Sequence, residues 1–174
     1  NLTTLGRNGS DLSAALLAEA IGADVVEFWK CVPGVLSADP ELVVNAQPIK
    51  ELCFADAEEL GHLGARILHP DAIAPAVRAG IEVKVRFVGD PSHPGTALIQ
   101  ESEREGPVAI VATMHEARHA LALVGAHNPK AEERARQTLA DADISVEWTV
   151  RSPDGRASYL GLEGEDVVRA LGLV

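Results

Sequence analysis

Residues Ile81-Glu82-Val83-Lys84-Val85-Arg86-Phe87-Val88 alternate apolar and charged side chains with period two, and helical patterns lie ahead of them. Such alternation dictates a strand with one face on a core, and the preceding helices supply the layer that covers it. Phe54 to Leu68 carries Ala57, Leu60, Leu63, Gly64 and Ile67 at helical spacing, and Asp71 to Ala79 forms a further helix after His69-Pro70. Earlier, the loop Gly6-Arg7-Asn8-Gly9-Ser10-Asp11 opens a helix over Leu12 to Ile21, with Leu12, Ala15, Leu16 and Ala20 on one face. Ser10 or Asp11 is the expected N-cap and Gly22 the expected terminator. Asp24 to Trp29 reads as a short buried strand, with turns at Pro33-Gly34 and Asp39-Pro40. Helices alternating with strands predict an α/β layered sheet with mostly parallel pairing.

The composition narrows the function classes. The formal charge of −11 repels nucleic-acid phosphate and anionic membranes, although a small nucleotide responds to its pocket and not to the net charge. Cys31 and Cys53 are too few for a disulfide framework and lack the spacing of a zinc ribbon. No leader pattern opens the chain and no apolar run reaches the roughly 18 residues of a membrane span, so a soluble cytoplasmic protein is expected. Pro91 to Thr96 and the charged Glu101 to Gly106 mark a boundary. The expected division is 1–100, a linker and edge strand over 101–118, and a small α+β unit over 119–174. Strands are expected at Val108–Thr113, His119–Gly125, Ile144–Val150 and Ala157–Leu162, and helices at Lys130–Ala142 and Glu165–Leu171.

Five stretches carry a family resemblance: Thr3 to Asp11, Gly34 to Pro40, Gly64 to Pro70, Ala76 to Ile81, and Pro94-Gly95-Thr96. In this order they resemble the carboxyl-terminal half of the amino-acid-kinase domain of aspartate kinases, and residues 119–174 are similar to one ACT module. The resemblance implies an amino-acid-kinase-like layered sheet, incomplete at its front, followed by an ACT-like sandwich. It implies transfer of the γ-phosphoryl group of ATP, with Mg²⁺, to the side-chain carboxylate of L-aspartate. Arg7 would hold the α-carboxylate, Ser10 would donate a hydrogen bond to the substrate, and Asp11, beside Gly9, would order the loop and its cations. Lys30, Gly34 and Arg66 fall on the nucleotide side. A lysine or threonine effector, and a homo-oligomer or a partner kinase chain, are implied by the ACT-like unit.

The departures from the pattern are concentrated on the nucleotide side. The family's Thr-Asp-Val-Asp-Gly is Lys30-Cys31-Val32-Pro33-Gly34 here, its tyrosine is Leu36, the arginine after Asp-Pro is Glu41, and its lysine is Arg66. The Lys-Phe-Gly-Gly loop that opens the family's domain has no counterpart. These departures imply an incomplete or weakly active kinase, with a non-catalytic amino-acid-sensing or assembly subunit as the alternative. A separate motif, His115-Glu116-Ala117-Arg118-His119, has the zincin spacing, which binds zinc only when a helix places both histidines on one face. Its setting between two strands argues for a chance match, and no metal site is expected. Both cysteines are expected to be buried and inert, and His69 to end a helix.

Overall fold

The computed structural model describes residues 9–65, 68, 70–101, 107–126 and 129–174. Two compact units emerge, one formed by Asn1–Val35 and Pro48–Ser102, the other by Leu36–Gln47 and Glu103–Val174.

In the first unit, α1 (Gly9–Ile21) is followed by β1 (Val25–Lys30), β2 (Glu51–Cys53), α2 (Phe54–His62), α3 (Pro70–Ala79), β3 (Glu82–Phe87) and β4 (Thr96–Ile99). The sheet has the order β1-β3-β4-β2. β1 runs parallel to β3 and β2 parallel to β4, while β3 and β4 are antiparallel, so the sheet is mixed. The register sets Val26 beside Val83 and Phe28 beside Val85, all four buried. β1 is therefore half-buried, not the fully buried strand expected, because Val25 and Trp29 alternate outward and are exposed.

Helix α1 starts at Gly9, which puts Ser10 and Asp11 inside its first turn and not at the N-cap. Its buried face runs through Asp11, Ala15 and Ala18, leaving Leu16 and Leu17 exposed, because α1 packs against α3 through alanines. Ala15, Ala72 and Ala76 have no exposed surface, and such small side chains let two helices approach closely. Helix α2 stops at His62, short of the expected Leu68. Gly64 takes φ +91°, and the Ala65 N–H donates back to the Leu60 carbonyl, an ending that glycine allows at little cost. The short strands β2 and β4 were not expected; β2 lies just before the helix expected from Phe54, and β4 begins at Thr96, where a boundary was expected.

The second unit carries β5 (Ala109–His115), β6 (Arg118–Val124), α4 (Pro129–Asp141), β7 (Trp148–Arg151), β8 (Ala157–Gly161) and α5 (Asp166–Leu171). Its sheet is fully antiparallel, in the order β5-β6-β8-β7. Ile110, Leu121, Leu123 and Leu160 form one core with Ala131, Ala135 and Leu139 of α4 and Val167, Ala170 and Leu171 of α5. Leu36–Gln47 belongs to this unit and not to the 1–100 block. The Ser37 carbonyl accepts the Ile110 N–H at 2.8 Å, and Val43 packs on the core. β5, which starts within the 101–118 segment, is an edge strand of this sheet.

Candidate active site

Strand β1 ends at Lys30, and the first turn of α1 presents Asp11 to it. The Lys30 ammonium donates to both carboxylate oxygens, at 3.0 Å to Oδ1 and 2.9 Å to Oδ2. The Asp11 side chain is 10% exposed and that of Lys30 27%, so the carboxylate lies inside and the ammonium nearer to water. A charge-assisted pair of this kind is short and directional, and here it fixes the helix start to the strand end. Sequence reasoning placed Asp11 on the aspartate side and Lys30 on the nucleotide side; the structure brings the two into one contact.

Beyond Lys30 the chain turns through Cys31, Val32 and Pro33 to Gly34. Cys31 is exposed, contrary to the expected burial, whereas Cys53 is buried. The Cys53 Sγ accepts the Asp56 N–H and so caps α2. Gly34 has φ +118°, and a Cβ there would stand 2.6 Å from the Thr96 Oγ1. The position thus requires glycine on two counts, conformation and space. Thr96 has no exposed surface; its hydroxyl accepts the Val35 N–H at 2.8 Å and donates to the Ile49 carbonyl at 2.5 Å. It ties together the points where residues 36–47 leave and re-enter the first unit. This role was not legible in the sequence, since a lone threonine after Pro-Gly reads as turn chemistry.

Of the remaining candidates, Ser10 is exposed on the first turn of α1, and the Gly9 carbonyl accepts from the Ser13 hydroxyl at 2.8 Å. Arg7, Arg66 and His69 lie outside the described residues. Arg86, next to last in β3, faces Glu27 on β1 at 3.7 Å and also reaches the loop that follows. Its guanidinium donates to the carbonyls of Pro91 at 2.9 Å and Pro94 at 3.3 Å, and its carbon sits 5.4 Å from the centroid of the Trp29 ring.

The zincin pattern does not form a site. Glu116 and Ala117 take φ of 49° and 63°, which makes them the tight turn between β5 and β6 and not part of a helix. His115 pairs with Arg118 and His119 with Met114, so in a pleated ladder the two histidines point to opposite faces. His115 instead stacks on Tyr159, with ring centroids 4.8 Å apart. Among the described residues no group of three or more His, Cys, Asp or Glu side chains is placed to hold a metal ion. Both oxygens of the Asp11 carboxylate accept from Lys30, and each keeps a further lone pair that Mg²⁺ could use. No helix among the described residues is long and apolar enough to cross a membrane.

Residues 1–86 match the amino acid kinase family. The chain is 48% identical over 101 residues to lysine-sensitive aspartokinase 3 of Escherichia coli, an alignment covering 58% of this chain and 22% of that protein. The chain therefore spans about a fifth of that relative's length. The crystal structure of E. coli aspartokinase III with aspartate and ADP is similar at a TM-score of 0.60 and 36% identity, over 92% of this chain and 36% of that one. The aspartate kinase of Clostridium acetobutylicum shares the fold at a TM-score of 0.83 and 18% identity, over 97% of this chain and 58% of its own. The resemblance to aspartate kinases, and the fold it implies, are thus borne out.

Proposed function

We propose, from a front segment that carries the pattern of aspartate kinases, that this chain forms the aspartate-side portion of such an enzyme and takes part in phosphorylating the L-aspartate side-chain carboxylate. The observation that carries this reading is the 48% identity over 101 residues with an aspartokinase. In the reaction a carboxylate oxygen of aspartate attacks the γ-phosphorus of ATP, the new O–P bond forms as the bond to the β-bridging oxygen breaks, and ADP leaves. The attacking carboxylate is already ionised, so no general base is needed, and catalysis reduces to holding two anions in line and balancing their charge.

This chain's residues divide that work. Arg7 grips the α-carboxylate of aspartate, Ser10 donates a hydrogen bond to it, and Gly9 opens the turn that lets the substrate approach the positive end of α1. Asp11 holds the helix start in place through Lys30. Gly34, Lys30 and Arg66 line the nucleotide side. ATP arrives in the family's reaction with Mg²⁺, which would offset charge on its phosphates. The second unit is read as an ACT-like module that senses lysine or threonine, in a homo-oligomer or beside a partner kinase chain, in the cytoplasm. Its four-stranded antiparallel sheet with two helices in one core supports that assignment.

Calorimetric titration with L-aspartate and with ATP, alongside hydroxylamine trapping of aspartyl phosphate, tests the proposal. Binding of aspartate that weakens in Ser10→Ala, with slow but ATP-dependent product formation, is expected. A chain that binds neither ligand refutes it.

A further inference from the structure

Between β3 and β4 the loop 88–95 is folded by polar contacts of three kinds. Asp90 Oδ1 accepts the Ser92 N–H at 2.9 Å and the Ser92 hydroxyl at 2.6 Å, and the His93 N–H donates to the Asp90 carbonyl at 3.1 Å. The Arg86 guanidinium holds the Pro91 and Pro94 carbonyls. The third contact closes the loop, where the Gly95 N–H donates to His93 Nδ1 at 3.0 Å. Gly95 is buried with φ +72°, and a Cβ on it would collide with the Val85 carbonyl, so the backbone lies close against β3. The imidazole is supported by the Phe87 ring, which meets it at 89° with 6.5 Å between centroids. Gly95 leads directly into Thr96, whose hydroxyl holds Val35 and Ile49.

A histidine nitrogen is a conditional acceptor. Neutral imidazole offers Nδ1 as an acceptor when its proton is on Nε2, whereas in the imidazolium both nitrogens are donors. We propose that His93 is a pH-sensitive latch: neutral, it accepts the Gly95 N–H and holds the β3–β4 loop closed; protonated, it releases Gly95 and slackens the grip of Thr96 on Val35 and Ile49. Imidazoles change charge between about pH 5 and 8. Over that window the other contacts of the loop keep their character, because Arg86 stays a cation and the Ser92 hydroxyl and N–H hold the Asp90 carboxyl below its ordinary value. The charged groups around the ring, among the described residues, are Asp90 in the loop, Arg86 on β3, and Glu27 on β1, which faces Arg86. Asp90 attracts the imidazolium and Arg86 repels it. Asp90 is exposed, so its attraction is screened and weak, whereas a Gly95 N–H facing another donor is a buried group without a partner. The second effect is the larger. The closed loop binds the neutral ring, so its stabilisation is present at the upper end of the window and is lost as the pH falls.

The test is amide hydrogen exchange of the full chain, labelled with ¹⁵N and followed by NMR from about pH 7.5 to about pH 5.5. After correction for the intrinsic exchange rate, protection of the Gly95 amide should fall at least about fivefold, and that of Val35 should fall with it, while that of Val83 in the same sheet holds. His93→Asn, whose side-chain oxygen accepts an N–H and does not titrate, should keep Gly95 protected and remove the pH step; His93→Ala should leave Gly95 poorly protected at both ends. Gly95 protection that stays level or rises as the pH falls overturns the proposal, as does an equal step in His93→Asn. A fall at Gly95 with Val35 unchanged refutes the transmission through Thr96, and a fall shared equally by Val83 shows the whole unit opening and refutes a local latch. If the variants do not fold, the imidazole ¹⁵N signals of the parent chain decide the matter. His93 Nδ1 should be the unprotonated nitrogen at the upper pH and gain its proton where Gly95 loses protection, and a Gly95 step at any other pH overturns the role of His93.

Discussion

Glu132 offers the sharpest test of how the second unit is held together. From α4 its Oε2 accepts the Nε and Nη2 of Arg151 at 3.0 Å each and the Ser158 hydroxyl at 3.1 Å, while Oε1 accepts the Nε of Arg136 at 3.4 Å. One carboxylate thereby joins α4 to β7 and β8. Ser158 is fully buried, so Glu132→Ala takes an acceptor from a hydroxyl shut off from water, at about 1–3 kcal/mol. The half-exposed arginine pairs add less than about 1 kcal/mol. The expected loss is about 2 kcal/mol, which for a unit of this size lowers the melting temperature by roughly 10 °C. Urea unfolding followed by Trp148 fluorescence, in a Trp29→Phe background, isolates this unit. Ser158→Ala should recover part of the loss, giving a coupling of about 1 kcal/mol in the double-mutant cycle. Losses that add with no coupling would refute the argument. The pH dependence has a definite sign. Burial opposes ionisation of Glu132, but the hydrogen bonds from Arg151 and Ser158 and the nearby arginine charges outweigh it and hold the carboxyl below 4.5. A depressed folded value means that this stabilisation is fully present above about pH 4.5 and is lost as the pH falls through the folded value.

Three further outcomes follow from the geometry. Thr96→Val deprives the Val35 N–H of its acceptor and the Ile49 carbonyl of its donor inside the first unit, and should cost about 2 kcal/mol in urea unfolding read by Trp29; a loss under about 0.5 kcal/mol contradicts the pinning role. Asp143, two residues beyond α4, takes φ 61°, and the Ile144 N–H donates to the Leu139 carbonyl, so Asp143→Gly should raise stability by about 0.5 kcal/mol; a loss would show that the side chain matters there. Dialysis against zinc followed by metal analysis should find the same substoichiometric content in the parent chain and in the variant with both His115 and His119 replaced by alanine. Stoichiometric zinc lost on replacement would refute the hairpin assignment.

The long patterned elements were legible in the sequence because their burial is periodic. Val83 and Val85 alternate inward as the period-two pattern requires, and Ala131, Ala135 and Leu139 line the buried face of α4 as their spacing requires. What escaped was short or non-local. β2 and β4 contain three and four residues, too few to display a period, and they exist because each finds a parallel partner in the other. The face of α1 was misjudged because hydrophobicity pointed to Leu16, whereas the close approach to α3 selects alanine. At the site, the separate identities of Asp11 and Lys30 were visible, but their contact spans 19 positions and depends on where β1 ends relative to α1. The histidine pair shows the converse: its spacing is right, and a two-residue turn cancels it.

The excursion of residues 36–47 bears on how such a chain can be divided or inherited. A unit whose sequence is contiguous can be cut out, fused elsewhere or duplicated by a single crossover at each end. Here a piece of residues 103–174 alone would lack the stretch that offers the Ser37 carbonyl to the edge strand and seats Val43 on the core. Exchange of this unit as a cassette therefore requires two coordinated insertions, and a recombinant that moves only the trailing segment inherits an unfinished domain.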